Sequence, residues 1–113
     1  MKTAKDPRHL HRIELMQSLY TYGVAGTVDD KILEIIGQID RIDALIIRIA
    51  PKHPLAQMNK VDLALLRLGV FELLQNEKPA IIIDELVEIA KEYGADESSN
   101  FVHATVDKIA QLL

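Results

Sequence analysis

Cysteine is absent from the chain. That excludes a thiol nucleophile, a cysteine-ligated zinc and a disulfide framework, and it suits a reducing compartment. Glycine occurs five times, and no two glycines are spaced as in a dinucleotide fingerprint or a phosphate-cradling loop. Ser18, Ser98 and Ser99 lack the flanking glycines of a nucleophile elbow. No apolar run approaches the length of about 18 uncharged residues that a membrane span requires. The opening residues MKTAKDPRHLHR carry no apolar stretch of signal-peptide type, so a cytoplasmic protein with no membrane association is expected. Tryptophan is missing and aromatics make up 4% of the chain, which leaves aliphatic side chains to fill the core. With 113 residues, one domain can bury roughly 65% of its unfolded surface without covalent help.

What is present is a run of aliphatic residues from Val61 to Leu74, interrupted only by Asp62, Arg67 and Glu72. Five-residue spacing scatters these charges at roughly 140° intervals around a helix, so no broad polar face remains. A helix apolar nearly all round is enclosed by its neighbours. Val61–Leu74 is therefore read as the central helix of an all-α, single-domain bundle spanning residues 1–113.

The remaining helices are expected to surround it. Asp6-Pro7 starts the first, with a carboxylate cap followed by a proline at the first helical position. Leu10, Ile13, Met16 and Tyr20 continue it in phase, and Gly23 is expected to end it. Asp29-Asp30 opens a long helix whose seam is Ile32, Ile35, Ile39, Ile42, Ile46 and Ile49, closed by Pro51. The same seam would serve either the chain's own core or self-association, so a monomer or weak homodimer is expected. Asn59 caps the central helix, with Asp62 placed as in a capping box. Pro79 opens another helix with Ile83, Leu86, Val87 and Ala90 inward, and Gly94 stops it. Ser98 or Ser99 caps the last, with Val102, Val106, Ile109 and Leu113 inward. The count is about five main helices, with an extra turn near residues 55–58 and a flexible basic tail at residues 1–5.

Charge is unevenly distributed. Lys2, Lys5, Arg8 and Arg12 against Asp6 and Glu14 give the first twenty residues +2 of an overall −4, leaving −6 for the rest. A basic end on an acidic body points to an anionic partner at the N-terminus. Cations in the first turn of a helix oppose its dipole, so their clustering there is a pointer to function. His9 and His11 diverge by about 200° on a helix and cannot share a metal ion. Glu85, Glu88 and Glu92 are expected to form a solvated face. Arg67, alone on an apolar helix, is expected to pair with Asp40, Asp43 or Asp107.

Several segments together resemble one family. Gln17-Ser18-Leu19-Tyr20 in a basic first helix is followed by Val61-Asp62-Leu63-Ala64-Leu65-Leu66-Arg67-Leu68-Gly69-Val70-Phe71-Glu72-Leu73-Leu74. Pro79, the run from Ile83 to Lys91, Tyr93-Gly94-Ala95, Ser98, Phe101-Val102 and Val106-Asp107-Lys108-Ile109 complete the pattern. Over about 60% of its length the chain resembles the bacterial transcription antitermination factor NusB. The resemblance implies a helical, non-enzymatic RNA-binding adaptor without cofactor or metal. It would hold boxA-type single-stranded RNA together with the ribosomal protein NusE and act within the transcription elongation complex. It places RNA binding on Lys2, Lys5, Arg8, His11, Arg12, Tyr20 and Phe101, and partner binding on Asp62, to which Glu97 in the loop before the last helix is added as a further candidate. On pattern alone Tyr20 and Phe101 read rather as core residues, and Asp62 also suits a helix cap. Two other functions remain open: a protein interaction module that has lost most RNA binding, and a stand-alone accessory domain for an rRNA methyltransferase. This chain carries fewer arginines in its first helix than the family usually does, and its middle is shorter.

Overall fold

The structure is a computed structural model that describes residues 6–113. The expected basic tail, with Lys2 and Lys5, lies outside the described residues. Six α-helices follow one another: α1 (Pro7–Ala25), α2 (Leu33–Ile36), α3 (Ile39–Ile49), α4 (Lys60–Leu74), α5 (Pro79–Tyr93) and α6 (Ser98–Leu112). Single 3-10 turns at Asp30–Ile32 and Leu55–Gln57 join them, and the described residues contain no strand. Five helices are long and α2 is a single turn, so the fold is the expected all-helical single domain.

Every residue from Asp62 to Val70 in α4 is buried, and α1, α3, α5 and α6 all pack against this helix. Its phase explains the arrangement: with no polar face, α4 is stable only when neighbours cover it on every side. At Gly69 the helices come close: an added Cβ would lie 2.5 Å from Leu86 Cδ1 and 3.3 Å from Val106 Cγ2. That glycine lets α5 and α6 converge on α4.

Two expected boundaries move. α1 runs past Gly23 to Ala25 and ends at Gly26, whose φ of 75° lies in the left-handed region and whose N–H donates to the Tyr22 carbonyl. Glycine reaches that conformation without the steric cost of a Cβ, so Gly26 rather than Gly23 is the stop. The expected long isoleucine helix is broken at Gly37-Gln38, where the Gln38 N–H turns back to the Ile35 carbonyl at 3.0 Å. Its seam survives the break, with Ile32, Ile35, Ile42 and Ile46 all buried.

Three smaller expectations also change. Asn59 Oδ1 accepts from the N–H groups of Val61 and Asp62, but Asp62 makes no reciprocal bond, so half of the capping box forms. α6 is preceded by Glu97 with no side-chain cap; Ser98 instead accepts the Ala95 N–H at 2.9 Å. In α5 the inward residues are Ile82, Glu85, Leu86, Ile89 and Ala90, whereas Leu113 at the chain end is exposed.

Candidate nucleic-acid and partner interface

The contacts of α1 with α4 fix which end of each helix meets which. Arg12 reaches Glu72, and Tyr22 lies under Arg67, 5.3 Å from guanidinium carbon to ring centroid. The two helices are therefore antiparallel. The start of α1 lies beside the end of α4, and the end of α1 beside its beginning. Asp62 and Glu72 are ten residues apart, about 15 Å along α4, and the candidate residues divide between these two ends.

At the Glu72 end, four charged or titratable groups from three helices meet. Arg12 Nη2 donates to Glu72 Oε1 at 2.7 Å and its Nε to Oε2 at 2.9 Å, while Nη1 reaches Glu85 Oε1 at 3.4 Å. His9 Nδ1 lies 3.1 Å from the same Glu85 oxygen. The side chains of Arg12, Glu72 and Glu85 are 14%, 12% and 8% exposed. Hydrogen bonding to Glu72 raises the Arg12 pKa further against the opposing effect of burial, so the guanidinium stays charged. Position explains this: Arg12 precedes Leu15, Met16 and Leu19 by three, four and seven residues, which puts it on the core-facing stripe of α1. Glu85 likewise stands in phase with Ile82, Leu86 and Ile89, so its expected place on a solvated face is corrected to a buried one.

Arg8 also lies at the start of α1, but its side chain is 85% exposed and meets only the capping Asp6 among described contacts, at 3.4 Å. His11 is exposed. Both border an open cleft of about 880 Å³ between α1, α4 and α5, with Arg12 and Glu72 in its wall. Tyr20, whose pattern favoured the core, is instead 42% exposed, and it shares the outward side of α1 with Val24 and with Leu10, which was also expected on the inward stripe.

At the other end of α4, Asp62 is buried, and its Oδ1 has no hydrogen-bond partner. Burial raises its pKa, with the Ser98 hydroxyl opposing in part. Glu97, just before α6, is exposed. Phe101, in the first turn of α6, is half-buried against the core, and the ring of His53 leans on it with centroids 4.9 Å apart and planes 57° from parallel. Sequence reasoning did not single out His53; its only local signal is a position in a turn between Pro51 and Pro54. Arg67, between the two ends, makes a two-pronged contact with Asp43, both bonds 2.9 Å. Of the three carboxylates considered for it, Asp43 is the partner.

Comparisons with known proteins bear on the family and the fold. A sequence model described as the NusB family matches residues 11–111. The transcription antitermination protein NusB of Borreliella burgdorferi is 39% identical over 100 residues, which cover 85% of this chain and 64% of that protein. Its counterpart in Agathobacter rectalis is 41% identical over 85 residues, covering 74% and 65%. The matches thus span just under two thirds of these relatives' length. The solved structure of T. maritima NusB aligns with 98% of this chain and 93% of its own, at a TM-score of 0.79 and 31% sequence identity.

Proposed function

The chain belongs to the NusB family of transcription antitermination proteins, and from that premise we propose that it is a non-enzymatic, cytoplasmic adaptor. In this reading it holds boxA-type single-stranded RNA jointly with the ribosomal protein NusE and supports read-through by RNA polymerase. The observation that carries the reading is the family match along nearly the whole described chain.

Several site features support it. Arg8 and His11 are exposed on α1, where a cation can neutralise phosphate. Tyr20 is exposed and Phe101 half-buried, and aromatic rings are the surfaces on which unpaired bases stack. Lys2 and Lys5 join the proposed RNA surface from outside the described residues. Arg12 enters the proposal differently: with both Glu72 and Glu85 engaged, it fixes the helix that carries Arg8 rather than meeting phosphate itself. Asp62 and Glu97 are the proposed handles for NusE. A buried carboxylate oxygen without a partner costs stability in the free protein, and an arriving donor would remove that cost.

A fluorescence anisotropy titration of labelled boxA-like RNA, with and without NusE at two salt concentrations, tests the reading. Affinity is expected to rise with NusE and to fall with salt, and Arg8→Ala should lower the salt slope by about one. Binding to NusE without any gain in RNA affinity would instead favour a protein interaction module. The inward turn of Arg12 gives that second reading its specific support, because it leaves Arg8 as the exposed arginine of α1.

A further inference from the structure

We propose that His53 is the outer ring of a two-ring platform, with Phe101 beneath it, on which a base of bound single-stranded RNA stacks. The inference rests on the RNA-binding reading above and adds a residue to that surface. Its foundation is the pairing of two aromatic rings from separate elements at one edge of the molecule. Phe101 is anchored from below: it packs on the core, its neighbour Val102 is fully buried, and its N–H donates to the Glu97 carbonyl at 3.0 Å. His53 is exposed, so the ring that meets solvent first over Phe101 is the imidazole.

The turn that carries His53 is held in place by its own chain. The His53 N–H donates to the Ala50 carbonyl at 3.1 Å, and the prolines on either side limit backbone rotation. Pro54 then leads into the 3-10 turn at Leu55–Gln57. A ring presented on a restrained backbone loses little freedom when a flat partner settles on it, which favours stacking. Lys52, next in the chain and exposed, places a cation within reach of the phosphates flanking a stacked base. The two rings are inclined at 57° with centroids 4.9 Å apart, so a base settling on the exposed imidazole rests on a ring that Phe101 backs.

The test uses the full chain and the same labelled RNA, with NusE present. His53→Ala, at an exposed position, should fold as the original protein does by circular dichroism. It is expected to bind RNA about tenfold more weakly with an unchanged salt slope, because stacking and not charge is lost. His53→Phe should retain most of the affinity, whereas His53→Lys should not restore it. An RNA strand made abasic throughout should bind the original protein and His53→Ala equally. If His53→Ala binds as tightly as the original while Phe101→Ala binds weakly, His53 is no part of the platform and the inference falls while the RNA reading stands. Rescue by His53→Lys but not by His53→Phe would likewise overturn stacking in favour of charge. Failure of the unaltered chain to bind RNA, with or without NusE, would overturn both.

Discussion

The two ends of α4 treat buried charge in opposite ways. Around Glu72, the guanidinium of Arg12 answers two carboxylates, and His9 lies against one of them. Around Asp62, a carboxylate is buried with one oxygen unanswered and its pKa raised as a result. Paired charges in an interior hold helices in register, since removing one leaves the others desolvated and alone. An unanswered one is a standing cost that folding by itself does not remove. The difference separates a clamp, which fixes α1 against α4 and α5, from the residue proposed above as a partner's handle.

The largest expected effect breaks the clamp. Arg12→Met keeps the length of the side chain but strands Glu72, and should destabilise the fold by about 3 kcal/mol in urea unfolding. A loss below about 1 kcal/mol would mean that these pairs behave as surface pairs do. Between the two ends, Gly69→Ala sets the scale for packing alone. Its new methyl would press on Leu86, which is fully buried, at a cost of about 1–3 kcal/mol. A neutral or stabilising Gly69→Ala would show that α5 has room to move away from α4.

How much of this was legible in the sequence depends on phase and on distance along the chain. The enclosure of the central helix over residues 62–70, the Asp6 and Asn59 caps and the isoleucine seam of Ile32, Ile35, Ile42 and Ile46 follow from local pattern and form, whereas Leu10, Tyr20 and Leu113 of the other expected stripes face outward. Arg12 and Glu85 were legible too, in principle: each stands in step with the buried residues of its own helix, and only the expectation that charge faces water hid it. The choice of Asp43 for Arg67 was not, because it depends on the angle at which α3 crosses α4. His53 against Phe101 was still less so, since a turn and a helix 48 residues apart meet only in the folded chain. The break at Gly37 shows the reverse error, a strict three-four repeat that is kept while the helix carrying it is interrupted.

A finer prediction concerns pH. Asp6 and Asp29 are held below the usual carboxylate value of 3.8, chiefly by the backbone N–H groups of Arg8 and Lys31. Their stabilisation is present above 3.8 and is lost as pH falls through their lower folded values. Asp62 has the opposite sign. Its folded value lies above 3.8, so it weakens the fold as pH rises from 3.8 through that value, and the penalty then stays constant. The stability of Asp62→Asn minus that of the original protein should therefore grow over that interval and flatten above it. A difference that shrinks with rising pH would show that the Asp62 carboxylate is answered in the fold.

The most direct measurement places both ends in one experiment: urea unfolding and NusE titration on Arg12→Met and Asp62→Asn side by side, under conditions where both remain folded. The clamp and the handle should separate. Arg12→Met is expected to lose about 3 kcal/mol of stability with NusE affinity held within about twofold, a difference of less than about 0.5 kcal/mol. Asp62→Asn should be at least as stable as the original at neutral pH and bind NusE about tenfold more weakly, as when one charge-assisted contact is removed. Loss of stability in Asp62→Asn with unchanged NusE affinity would contradict the account, leaving Asp62 a structural residue like Arg12.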